Sequence, residues 1–205
     1  MKRLMIDSYI NHLRKSNNYS NEKLEKIEYS LTGIYLTFSK IIIIFSIAII
    51  LGIFKEVLLF MIIFNIIRTT AFGLHASKSW ICLLSSLIFF IGLPLISLNI
   101  TINLYFKILL SILNFSLIFK NAPADTKKRP IVNKKRRLKL KITSTIIATL
   151  FSIGCLLINS NFISNSLIMS LILENILISP LTYKLFNLPY NNYIIFLEKH
   201  PDFIK

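Results

Sequence analysis

Along this chain polar positions are the exception. Residues 31–54, 80–98, 102–119, 142–158 and 162–181 form apolar blocks with scarcely a break. Each is near the ~20 helical residues that cross a hydrocarbon core of roughly 30 Å. A sixth block, 57–72, is shorter and interrupted by Asn65 and Arg68. Ahead of them, residues 1–30 are mostly polar and lack the pattern of a cleavable signal. Within that stretch Ile6, Ile10 and Leu13, flanked by Lys2, Arg3, Arg14 and Lys15, predict a short amphipathic helix lying on the membrane surface. The pattern predicts an all-α, polytopic membrane protein.

Composition agrees: 54% of the 205 residues are hydrophobic, with a mean hydropathy of +0.65, too apolar for one soluble core of this size. Charge then decides whether 57–72 spans. Ten of the 24 Lys and Arg residues lie between 120 and 141, and six precede Leu31, so both regions should face the cytoplasm. An even number of spans must separate them, which requires 57–72 to be the second span. The expected topology has six spans with both termini inside, placing 21 of the 24 basic residues on the cytoplasmic side. The chain reads as a single integral membrane domain over 1–205, with 1–30 a cytoplasmic amphipathic segment and 120–141 a basic cytoplasmic loop. A net charge of +15 is explained by topology and by attraction to anionic membrane lipids, and no nucleic-acid motif accompanies it. No internal repeat, Gly-rich phosphate loop or Cys-x-x-Cys pair is found, and no cofactor is expected.

The chemistry concentrates in "RTTAFGLHASKSWIC", residues 68–82, at the cytoplasmic rim between spans two and three. Of the two cysteines, Cys155 sits among Ile153, Leu156 and Leu157 in span five, where a small hydrophobe is expected. Cys82 follows Ser77, Lys78 and Ser79. With Ser79 as N-cap, it falls in the first helical turn, where the helix dipole favours a thiolate. His75 would be the base that such a nucleophile needs. On one unbroken helix, residues seven apart stand about 10.5 Å apart along the axis, beyond the roughly 3 Å of proton transfer. The helix must therefore break, with Gly73 and an irregular link near residues 76–79 as the expected place. Two ligands are too few for a metal site, and none is expected.

This stretch resembles the active-site signature of the accessory gene regulator B family, membrane cysteine endopeptidases of Gram-positive peptide quorum sensing. Arg68, Gly73, His75, Ala76 and Cys82 carry the likeness. A second segment, "NAPADTKKRPI" at 121–131, is similar to the family's loop after the fourth span, through Ala122, Pro123, Ala124, Lys127, Lys128 and Pro130. Phe72 departs from the pattern, because many members carry a second glycine before Gly73. The resemblance implies removal of the C-terminal tail of an AgrD-like signal propeptide through a thioester on Cys82, with His75 as base. Transfer of the acyl group to a side chain within the peptide then closes a thiolactone or lactone ring. It also implies a homodimer in the bacterial cell membrane.

Several charges keep two roles open. Arg68 could snorkel to lipid headgroups, or hold a substrate carboxylate or orient the site. Lys127, Lys128 and Arg129 serve topology, docking of an acidic propeptide tail, or both. Asp125 is a candidate third catalytic member that nothing in the pattern supports. Lys40 in span one and Glu174 in span six each cost at least roughly 2.5 kcal/mol at mid-membrane, so they are expected to pair across the bundle. Two rival functions are a small non-enzymatic transporter or immunity-type protein, and a lipid-surface assembly protein working through its basic loop.

Overall fold

In the computed structural model the described residues are 9–10, 13–14, 19–74, 79–127 and 129–200. His75 and Lys128 lie outside them, as does most of the expected amphipathic N-terminal segment, of which Tyr9, Ile10, Leu13 and Arg14 are helical. The chain divides into two compact units, Met1–Gly52 and Ile53–Lys205.

The first unit is dominated by one helix, α1 (Asn21–Ile50), whose 30 residues measure about 45 Å. Glu22 and Lys26 pair on its exposed first turn at 2.6 Å. Its C-terminus closes through Leu51 and Gly52, whose amides donate to Ile47 and Ile49; Gly52 takes a φ of +71° that only glycine adopts cheaply.

The second unit is a helical bundle. It contains α2 (Phe54–Ala71), α3 (Ser79–Leu87), a π-helical turn (Ile88–Gly92), α4 (Leu93–Asn99), α5 (Leu104–Asn121), α6 (Lys134–Leu157), α7 (Asn161–Ile178), α8 (Pro180–Leu185) and α9 (Asn192–Lys199). Short polar residues start four of these: the side chains of Asn103, Asn133, Ser160 and Ser179 accept from the amides of Tyr105, Arg136, Ile163 and Leu181. Two expected spans are interrupted. Block 80–98 widens into the π turn just before Pro94, which has no amide to bond the preceding turn. Block 162–181 stops at Ile178, where Ser179 caps a new helix beginning at Pro180.

Five helices among the described residues are long and apolar enough to cross a membrane: Glu22–Ile50, Ser79–Asn99, Leu104–Asn121, Lys134–Leu157 and Asn161–Ile178. The sixth expected span is a helix of 18 residues, α2, with Lys55 and Glu56 near its start and Arg68 near its end.

Helix α7 is the axis of the bundle, with buried residues on every face. It packs against α2, α4, α5 and α6. The partition is that of a protein in lipid. On α5, Phe106, Leu109 and Ile112 point outward, while Ser111 and Asn114 are buried. Inside, Asn175 donates to the Asn114 side chain at 2.7 Å. Small residues such as Ser144, Ala148 and Ser170 have no exposed surface, which lets the helices approach closely. Ala148→Leu should cost about 1–3 kcal/mol by overpacking the cluster that includes Ile118 and Leu171. Leu109→Ala on the outward face should stay within about 0.5 kcal/mol. Thermal unfolding in detergent micelles compares the two.

Candidate active site

The helix that the chemistry needs broken does break, and it does so at the end of α2. Phe72 takes a φ of +61° and Gly73 a φ of +104°, so the chain leaves the helix axis before it reaches His75. Nearly every backbone group in the break has a partner. The Phe72 amide donates to Arg68, the Gly73 amide to Ala124 at 2.8 Å, and the Leu74 amide to Leu177 at 2.9 Å. The Ala71 carbonyl accepts from the Ala124 amide at 2.9 Å. The Arg68 guanidinium takes the two carbonyls that face it, with Nη1 donating to Phe72 and Nη2 to Leu74 at 2.6 Å. Its charge meets Glu174 of α7, Nη1 to Oε1, at 3.4 Å. Gly73 is enforced by space as well as by φ. A Cβ there would lie 2.6 Å from Arg68 Nη1 and 2.8 Å from the Leu177 carbonyl.

The break is docked on the loop between α5 and α6. Ala122, Pro123, Ala124 and Asp125 are buried, and the Ala122–Pro123 bond is cis. The Asp125 side chain accepts backbone amides from Ile131, Asn192 and Tyr193 at 3.2, 2.9 and 2.8 Å. Its own carbonyl accepts from the Tyr183 hydroxyl at 2.9 Å. Burial pushes the Tyr183 phenol up, so it remains a donor. Beyond Asp125 the chain turns tightly, with the Arg129 amide donating to Thr126, and Lys127 and Arg129 are exposed.

Cys82 lies on α3, three residues after Ser79, and is half-buried. Ser79 is itself helical rather than a cap. His75 and the link 76–78 lie outside the described residues, while the residue before His75, Leu74, is held at both its amide and its carbonyl. Arg68 is turned inward onto backbone and Glu174 rather than out to headgroups, its side chain 14% exposed. Glu174, expected to pair with Lys40, has the Arg68 guanidinium beside it at 3.4 Å. Cys155 is buried with Ile63, Leu167 and Ile168, close to Ser111 at 3.3 Å. The sequence did not show that Arg68 would stand beside Glu174, and it gave no role to Tyr183, Asn192 or the backbone of Ala124. Only the adjacency of Ala124 and Asp125 inside the second motif pointed toward this loop.

Several membrane-length apolar helices, with a buried Arg–Glu pair beside the break that ends α2 and a cysteine on α3, fit a multi-pass membrane protein bearing a candidate thiol site. A family model described as accessory gene regulator B matches residues 6–178. The chain belongs to the accessory gene regulator B family. It is 32% identical over 174 residues to an AgrB-like protein of Clostridium acetobutylicum, covering 85% of this chain and 83% of that protein. To accessory gene regulator protein B of Staphylococcus aureus strain Newman it is 32% identical over 178 residues, covering 87% and 93%. No solved structure matches. Membership supports a role in processing a quorum-sensing autoinducer.

The backbone at Phe72 generates a test with an inverted sign. Alanine normally stabilises over glycine, yet at a φ of +61° glycine has the advantage. Phe72→Gly should therefore be more stable than Phe72→Ala by about 1 kcal/mol, since both lose the ring and only one keeps the strain. Gly73→Ala should cost about 2 kcal/mol or more, through the clash with Arg68 and Leu177. Thermal unfolding in detergent measures both.

Proposed function

We propose that the chain is a cysteine endopeptidase of the cell membrane that removes the C-terminal tail of an AgrD-like signal propeptide and promotes its cyclisation. The observation that carries this is the clamped break at Phe72–Leu74, which directs the chain off the α2 axis just before His75, with Cys82 on the next described helix. The thiol sulfur of Cys82 attacks the scissile carbonyl while His75 takes its proton. Collapse of the tetrahedral adduct breaks the C–N bond, and His75 returns the proton to the leaving amine of the tail. The peptide remains as a thioester on Cys82. A thiol or hydroxyl within the same peptide then attacks that thioester, its proton passing by way of His75 to the departing Cys82 sulfur. The ring closes as a thiolactone or lactone, and the enzyme is restored.

Arg68 is the residue that orients this site, by fixing the carbonyls on either side of Gly73. Lys127 and Arg129, exposed after the buried loop, receive the acidic tail of the propeptide together with Lys128. Six spans, with α2 as the second, keep both termini and this end of the bundle in the cytoplasm, at the depth where an amphipathic propeptide leader lies. The active assembly is a homodimer in lipid.

Mass spectrometry of the purified protein in lipid with the propeptide encoded near its gene tests the chemistry. Wild type should yield a free tail and a thioester adduct on Cys82, and Cys82→Ala should yield neither. Unchanged cleavage by Cys82→Ala would return the chain to the transporter alternative. Arg68→Lys keeps the charge but loses the fork that spans two carbonyls. It should lower tail release at least about tenfold, the effect of roughly 1.4 kcal/mol on the barrier, as read by rates of tail appearance.

A further inference from the structure

We propose that Asp125 is a positioning residue through which the C-terminal arm, α8 to α9, sets the geometry of the segment leading to His75. The inference rests on the peptidase reading for its consequence, though not for its structural content. Five hydrogen bonds converge on this one residue, which is 3% exposed. Its Oδ1 accepts the Asn192 amide, and its Oδ2 accepts the amides of Tyr193 and Ile131. Its carbonyl accepts the Tyr183 hydroxyl at 2.9 Å and the Asn192 side-chain amide at 3.3 Å. The donors come from α8, from α9 and from the far end of the loop that contains Asp125.

The carboxylate does the work of an N-cap for a helix that lacks one. Asn191, at the start of α9, is in the left-handed conformation and makes no side-chain cap bond. Asp125 supplies the missing acceptor from 67 residues away, with a negative charge where the helix dipole favours it. The arm is fastened further by Arg137 stacking on Tyr193 at 3.6 Å and by the edge contact of Tyr183 with Tyr190 at 5.1 Å.

One peptide bond away, Ala124 makes both of its backbone hydrogen bonds to the break, donating to Ala71 and accepting from Gly73. Asp125 therefore has the arm on one side and the Ala71–Gly73 backbone on the other. A carboxylate turned onto three amides is committed to them, which replaces the third-catalytic-member role considered for Asp125 with a mechanical one. Its effect reaches His75 along the chain, through Gly73 and Leu74.

Full-length protein in lipid nanodiscs tests this with two readouts on the same samples. Cys82 is titrated by alkylation to count competent sites, and kcat per titrated site and KM are measured for tail release. Hydrogen exchange is followed at the Gly73 and Leu74 amides. Asp125→Asn, nearly isosteric, turns an amide nitrogen toward backbone donors. It should lower kcat per site about tenfold with KM within about twofold, and speed exchange at Gly73 and Leu74 by about tenfold while Leu104–Asn121 is unchanged. Tyr183→Phe, which removes one bond to the Asp125 carbonyl and keeps the ring, should move both readouts the same way by about twofold to fivefold. Fewer titratable sites with unchanged kcat per site and unchanged exchange in Tyr183→Phe would overturn the proposal. Faster exchange in the variants of a protein that releases no tail even as wild type would uphold the coupling and defeat the peptidase reading alone.

Discussion

Backbone that leaves a helix while buried from water must find partners for its N–H and C=O groups within the protein. At the end of α2 the guanidinium of Arg68 meets that requirement for the carbonyls of Phe72 and Leu74, while Ala124 and Leu177 serve the amides between and beside them. Without this arrangement the economical course for the chain would be to continue as a helix. His75 and Cys82 would then stand about two helical turns apart. The break, the docking of the α5–α6 loop and the requirement for glycine at position 73 all follow from satisfying these few polar groups.

A buried cation must itself be balanced, and Glu174 does this from the last turns of α7. Taking both charges from water is costly, so the pair is better understood as specifying geometry than as supplying stability. It ties the break to the most buried helix of the bundle. Around it the usual partition of soluble proteins is inverted, with Ser144, Ser164, Ser170, Asn114 and Asn175 inside and large apolar side chains such as Phe106 and Leu150 outside. Packing of small residues and internal hydrogen bonds, rather than hydrophobic burial, holds such helices together.

The helices were legible because their signal is local: apolar runs of membrane length declare themselves without knowledge of neighbours. The two motifs were legible for a different reason, their likeness to a family, and residues 68–82 and 121–131 do meet in space through Ala71, Gly73 and Ala124. What sequence could not give was partnership. Sign and depth suggested Lys40 for Glu174, but those quantities do not say which helix ends adjoin, and they did not show that Arg68 stands beside it. Phe72 marked a doubtful bend because it stands where a glycine is common. The bend forms all the same, since the surrounding hydrogen bonds impose a positive φ against local preference. The arm after α7 carries no periodic signal, so the roles of Tyr183, Asn192 and Asp125 emerge only from the fold.

The proposed peptidase needs position 75 beside Cys82 within one chain, and a disulfide measures this directly. His75→Cys, made in full-length protein in lipid and mildly oxidised, should form an intramolecular disulfide with Cys82, identified by peptide mapping. Disulfide geometry demands Cα atoms within about 7 Å, which a continuous helix, with about 10.5 Å between these positions, cannot provide. A bond formed only between chains, or none at all under conditions that oxidise exposed thiol pairs, would contradict the account.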